Sequence, residues 1–359
     1  MSLVADLLDG KHRALARVIT KIENRQPGYR ELVSELHDHT GTADVIGVTG
    51  SPGSGKSTLV DRLAATYREQ GLTVGVIAID PSSPFTGGAV LGDRIRMASN
   101  VGDMDVFFRS MSARGTLGGL STATADAVKA LDAFGKDRIL VETVGAGQNE
   151  IDIVKTADTV MVLVPPGSGD DVQMLKAGIL EIADIFVVNK ADLDGADRTV
   201  QELRELLEYR DDGVPRTVGH HGAGAGVSSG DDGDDHGDTS GESDRETWEP
   251  AIVETVADRG EGIGELLDTL DEHSAYLDAS GEREQNARTR YAAEIRTLLR
   301  EDVNALLADE IDRRGGLDGF VDRVLDRETD PYAVSDDIIE PIADCVRERR
   351  DSTTADDSR

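Results

Sequence analysis

The segment VIGVTGSPGSGKSTLVDRLA, Val45 to Ala64, constrains this chain more than any other. An apolar run with strand character enters a glycine-rich loop, and the loop opens directly into a helical pattern. Gly50 is followed by Ser51, Pro52, Gly53 and Ser54, then by Gly55, Lys56, Ser57 and Thr58. Glycines permit the backbone path that turns successive N–H groups toward one anion. A helix starting near Lys56 aims its positive end at the same point. At this spacing Lys56 is expected to reach the β- and γ-phosphates of a nucleotide, and the Ser57 hydroxyl suits Mg2+.

The rest of the chain reads as the scaffold such a loop needs. Strands are expected at Val45–Thr49, Val74–Ile79, Val106–Phe108, Ile139–Glu142, Val160–Val164, Ile185–Val188 and Ile252–Thr255. Helical patterns fall at Lys56–Gln70, Thr122–Phe134, Val172–Ala183 and Arg198–Tyr209. Near-continuous apolar strands between helices predict a mostly parallel sheet covered on both faces. The fold class is therefore α/β, a P-loop NTPase with N-terminal and C-terminal helical extensions. Residues 1–40 are read as the N-terminal extension, with Pro27-Gly28 dividing it into two helices. Residues 41–270 form the nucleotide-binding domain, and 271–359 a helical arm expected to dimerise. Residues 211–246 are Gly, Asp and Ser with almost nothing apolar, and are read as a disordered acidic insertion.

Two further motifs add chemistry. In RILVETVGAGQNE a strand ends on Glu142 and is followed by Thr143, Val144 and Gly145. A carboxylate at that strand end can hold Mg2+ or its waters, and Gly145 lets a backbone N–H approach a γ-phosphate. In IFVVNKADLD a strand is followed by Asn189, Lys190, Ala191 and Asp192. The Asp192 carboxylate can accept two hydrogen bonds, from guanine N1–H and its exocyclic amine. Adenine presents no such donor pair, and a site built for one rejects the other strongly. The expected ligand is GTP or GDP. The stem of Lys190 can lie along the base, and the loop at Thr255, Val256 and Ala257 can touch its edge.

With IDPSSPFTGGAVLGDRIRM (Ile79 to Met97) and PGSGDDVQMLKAGILEIADIFVVNKADLD added to these, the chain closely resembles the MeaB/ArgK family. Its members are GTPases that act as chaperones of adenosylcobalamin-dependent methylmalonyl-CoA mutase and related acyl-CoA mutases. The resemblance implies mobile acids at Asp80 and Asp93, which place Mg2+ or the attacking water beside Ser57 and Glu142. It implies a switch loop from Pro166 to Lys176 that senses the mutase, with Lys176 as its mobile cation. It also implies a homodimer through the C-terminal helices. Arg94 stands where the family often has Lys, and Val172-Gln173-Met174-Leu175 is a local variant of the switch loop. No Asp-x-His-x-x-Gly appears, so no cobalamin site of its own is expected.

Two rival readings stay open. A GTP-dependent metallochaperone for a nickel enzyme would share this fold and need a Cys and His site. The single cysteine, Cys345, lies in the tail, and His220, His221 and His236 show no regular ligand spacing. A non-catalytic GTP-binding scaffold is the other, and the set Lys56, Ser57, Asp80 and Glu142 weighs against it.

Charge narrows the setting. The net charge is −32, and of 38 basic residues only 8 are lysine. Acid is spread along the whole chain, which excludes the basic stripe a nucleic-acid binder needs. No run of 18 apolar residues appears and MSLVADLLDGKHRALARVITKI is not a signal peptide, so a cytoplasmic protein without a membrane segment is expected. Acid everywhere fits a chain adapted to high salt, where a Debye length of roughly 3 Å at 1 M screens self-repulsion. Thermal stability should therefore rise with KCl into the molar range. A melting temperature that stays flat or falls would remove the halophilic reading.

Overall fold

The computed structural model describes residues 2–80, 103–112, 119–143, 153, 156–167, 181–211 and 247–356. They include seven strands: β1 Asp44–Gly50, β2 Val74–Asp80, β3 Val106–Ser112, β4 Arg138–Glu142, β5 Thr159–Val164, β6 Ile185–Asn189 and β7 Ala251–Thr255. All seven expected strands are present, and β3 runs further than its apolar triplet indicated. They form one sheet in the order β3-β2-β4-β1-β5-β6-β7, parallel at every pairing. All strand C-termini therefore open on one edge, where ligands of such sheets bind.

The helices are α1 Leu3–Leu8, α2 His12–Glu23, α3 Tyr29–His37, α4 Lys56–Glu69, α5 Gly119–Ala133, α6 Ala196–Asp211, α7 Ile263–Ser280, α8 Glu282–Arg313, α9 Gly316–Leu325 and α10 Pro331–Asp356. The N-terminal segment holds three helices rather than two. The extra break falls at Asp9-Gly10, where Gly10 takes φ 77° and ends α1. Of the helix expected at Val172–Ala183 only the last three residues are described, and they do not lie in a helix. The insertion at 212–246, with its three histidines, lies outside the described residues.

Strand side chains alternate between two apolar cores, one on each face. Ile46, Val48, Leu140, Met161, Leu163, Ile185 and Val187 pack under α4 and α7. Val45, Ile77, Ile139, Val141, Val160, Val162, Phe186 and Val188 pack on the other face, with α5, α6 and the N-terminal helices. Gly47 faces that second core, and a Cβ there would lie 2.7 Å from Ile153 Cγ1. Leu7, Leu15, Ile19 and Leu36 are fully buried in the same core, so α1–α3 close one face of the sheet.

The chain divides into two compact units, Met1–Tyr291 and Ala292–Arg359. In the first, charged pairs close the N-terminal edge of the strands. Asp44 pairs with Arg138, and Asp158 with Arg290 at 2.7 Å. Lys136 is buried and donates to the Asp105 carbonyl at 2.8 Å; burial lowers its pKa. Arg314 holds Asp337 at 3.3 Å within the second unit.

Because α2 shares a core with the sheet, Leu15→Ala should destabilise the first unit by about 2–5 kcal/mol. Trp248 is the only tryptophan and lies in that unit, so its fluorescence in a urea titration reports the loss. An unmoved Trp248 transition would show that the N-terminal helices fold apart from the sheet.

Candidate functional site

The loop between β1 and α4 is forced by its glycines. Gly50 ends β1 at φ 134°, and a Cβ on it would strike the Leu163 carbonyl of the adjacent strand. Gly55 caps α4 at φ 95°, and a Cβ on it would strike the Asn189 amide nitrogen. L-residues rarely adopt either conformation, so both positions call for glycine. Lys56 is buried at the first turn of α4, and its Nζ donates to the carbonyls of Gly50 at 2.7 Å and Ser51 at 3.0 Å. The ammonium is thereby held inside the loop, beside the helix N-terminus.

Glu142 ends β4, the neighbour of β1, in register with Val48. The Ser57 hydroxyl donates to Glu142 Oε1 at 2.5 Å, and Glu142 is buried. A hydroxyl and a carboxylate at this separation are hard oxygen ligands of the kind Mg2+ takes, so the donor set fits that ion. The next residue, Thr143, donates through its hydroxyl to Thr49 at 2.8 Å and through its backbone to the Val48 carbonyl at 3.0 Å. These bonds fix the end of β4 against β1. Asp80 closes β2 on the same edge, its backbone in register with Ser112 of β3. Asp93, Gly145 and Lys176 lie outside the described residues.

Asn189 ends β6 and is 2% exposed. Its amide nitrogen donates to the Ser54 carbonyl at 2.8 Å, inside the glycine-rich loop. Its oxygen accepts from the Thr255 hydroxyl at 3.1 Å and from the Ala257 backbone at 3.2 Å. One side chain thus joins three loops that are distant in sequence. Lys190 follows at φ 64°, an uncommon conformation for a non-glycine residue, and its Nζ donates to the Gly53 carbonyl at 2.8 Å. Asp192 is partly exposed and pairs with Arg259 at 3.1 Å.

The edge therefore gathers Gly50 to Thr58, Glu142, Asn189, Lys190, Asp192 and the loop from Thr255 to Ala257. Two residues were missed in the sequence. Arg62 of α4 donates to the carbonyls of Ala257 at 3.2 Å and Asp258 at 3.0 Å, tying the loop after β7 to the helix after the phosphate loop. Arg259 is the other. Neither belongs to a short motif, so only the fold reveals them.

The family model described as methylmalonyl-CoA mutase-associated GTPase MeaB matches residues 15–312. A Pyrococcus abyssi protein with a GTPase name is 46% identical over 95% of this chain and 96% of its own length. The GTPase ArgK of Escherichia coli is 32% identical, covering 85% of each chain. The mouse mitochondrial methylmalonic aciduria type A homolog is 32% identical over 84% of this chain and 69% of its own. Among solved structures, one described as a LAO/AO transport system kinase superimposes with a TM-score of 0.63 at 23% identity, over 95% of this chain and 96% of its own. That last likeness bears on the fold alone.

Asn189→Ala removes one donor and one twice-used acceptor from a buried position, leaving partners unsatisfied at about 1–3 kcal/mol each. GDP affinity, measured by calorimetry, should fall at least about tenfold. Unchanged affinity would show that these three loops hold their places without it.

Proposed function

This chain belongs to the MeaB family of methylmalonyl-CoA mutase-associated GTPases, and from that premise we propose that its GTP hydrolysis serves an adenosylcobalamin-dependent acyl-CoA mutase as a chaperone. The observation that carries the nucleotide half is the hydrogen-bonded junction of the phosphate loop with the Asn189–Asp192 loop at one sheet edge. The mutase half rests on the family description.

The chemistry follows from the residues. The products are GDP and inorganic phosphate, formed as water attacks the γ-phosphorus and the bond to the bridging oxygen breaks. Lys56 exchanges its carbonyl acceptors for β- and γ-phosphate oxygens, and backbone N–H groups from Gly50 to Ser57 surround the β-phosphate. Ser57 and Glu142 would hold Mg2+, with Asp80 and Asp93 as further oxygen donors or water-orienting groups. When bound, the ion would supply positive charge against the negative charge that develops on the phosphates. Asp192 accepts from the guanine edge, while Thr255, Val256 and Ala257 line the loop beside it. Gly145 offers its backbone N–H to the γ-phosphate, and Lys176, on the switch loop that the resemblance implies, supplies a late positive charge when the mutase docks.

A second copy of this chain is the proposed partner of the C-terminal helices. Along α8, Ile295, Leu299, Val303 and Leu306 recur at helical spacing and are each more than half exposed. An apolar stripe of that length marks an interaction surface. Among the described residues no helix is long and apolar enough to cross a membrane.

Phosphate release from GTP with Mg2+ tests the proposal. Lys56→Ala should lower the rate by two orders of magnitude or more, the scale of losing a charge-stabilising donor. Lys176→Ala should leave the basal rate within about twofold while removing most of the increment added by a mutase; partner-supplied cations give on the order of 10³ or more in other GTPases. Full stimulation of the Lys176 variant would place the coupling elsewhere, and no stimulation of the wild-type chain would overturn the mutase assignment.

A further inference from the structure

Arg259 projects from a loop with little freedom. Val256 bridges to Glu261, the backbone N–H groups of Arg259 and Gly260 both donate to the Val256 carbonyl at 3.0 Å, and Arg62 grips the Ala257 and Asp258 carbonyls. From this loop Arg259 Nη2 reaches Asp192 Oδ2 at 3.1 Å. The chemistry of that pair matters because a guanidinium resembles the edge of guanine. Each carries two N–H donors directed the same way from one carbon framework, and each satisfies a single carboxylate. The guanine edge takes both carboxylate oxygens, so it meets a guanidinium already placed against one of them, Oδ2.

We propose that Arg259 is a built-in competitor for the guanine edge: it holds Asp192 in place and must be displaced each time the base enters. This deepens the reading of Asp192 as the base-recognising residue and rests on it. The pair has two consequences. It keeps a carboxylate oriented toward the base position in a chain whose net charge is −32. It also lowers guanine-nucleotide affinity by the worth of the ion pair, so nucleotide leaves more readily. Asp192 is 29% exposed and Arg259 58%, so the pair is partly screened and its effect is modest. Arg259 is a positioning residue here and acts through Asp192.

A double-mutant cycle tests this in the full-length chain. Asp192→Asn should exchange guanine for xanthine preference, because an amide donates to the xanthine 2-carbonyl and accepts from its N1–H. Arg259→Gln should raise GDP affinity in the wild-type background by about two- to fivefold, measured by calorimetry. In the Asp192→Asn background the same change should leave XDP affinity unchanged or slightly lower, since only the long-range loss of a positive charge remains. Arg259→Lys, with its single compact ammonium, should bind GDP with intermediate affinity. If Arg259→Gln shifts GDP and XDP affinities equally, or weakens GDP binding, the competitor role is overturned while base reading by Asp192 stands. If Asp192→Asn gains no xanthine preference, base reading itself fails, and this proposal with it.

Discussion

The site depends on one buried amide. Asn189 ends β6 and holds the Ser54 carbonyl with its nitrogen and the Thr255–Ala257 loop with its oxygen. A nucleotide needs its phosphates and its base gripped at a fixed separation, and the two grips come from loops far apart in sequence. Hydrogen bonds in a buried position are strong and costly to leave half-made, so this junction fixes that separation before ligand arrives. Lys190, through Gly53, and Arg62, through Ala257 and Asp258, brace it from two sides.

The sheet divides labour between its edges. At the strand C-termini, glycines, carboxylates and backbone N–H groups face outward, where phosphates and a base can be met. At the strand N-termini, ion pairs and buried polar bonds close the structure, as with the Asp158–Arg290 pair and the Asp184 carboxylate that accepts from the Val160 backbone at 2.7 Å. Between them lie two apolar layers, one on each face of the sheet. A parallel sheet makes this division possible because every strand points the same way.

Much of this was legible because it is local. The phosphate loop, its strand and its helix are contiguous, and strand periodicity survives in runs such as Thr159–Val164, where every residue is buried. The guanine nucleotide was legible in the Asn189–Asp192 motif, and family resemblance alone carried the mutase. The extra break at Gly10 escaped because Leu7, Leu8 and Leu15 continue the helical spacing across it, and only a left-handed backbone reveals the stop. The Asn189 junction escaped because its three partners are separated from it by 66 to 135 positions. Its motif announces base recognition and is silent about the second task. Arg259 escaped for a similar reason: an arginine after Asp258 has no period and no motif, and its meaning comes only from the carboxylate it meets.

The most direct measurement is a calorimetric comparison of GDP and ADP binding to the wild-type chain with Mg2+. If the junction presents a phosphate loop and a guanine-reading carboxylate together, GDP binds and ADP is weaker by about three orders of magnitude or more, the scale at which unmatched polar partners reject an analogue. Comparable affinities for the two nucleotides would contradict the account at its centre, because the phosphate loop would then be acting without the base site to which Asn189 ties it.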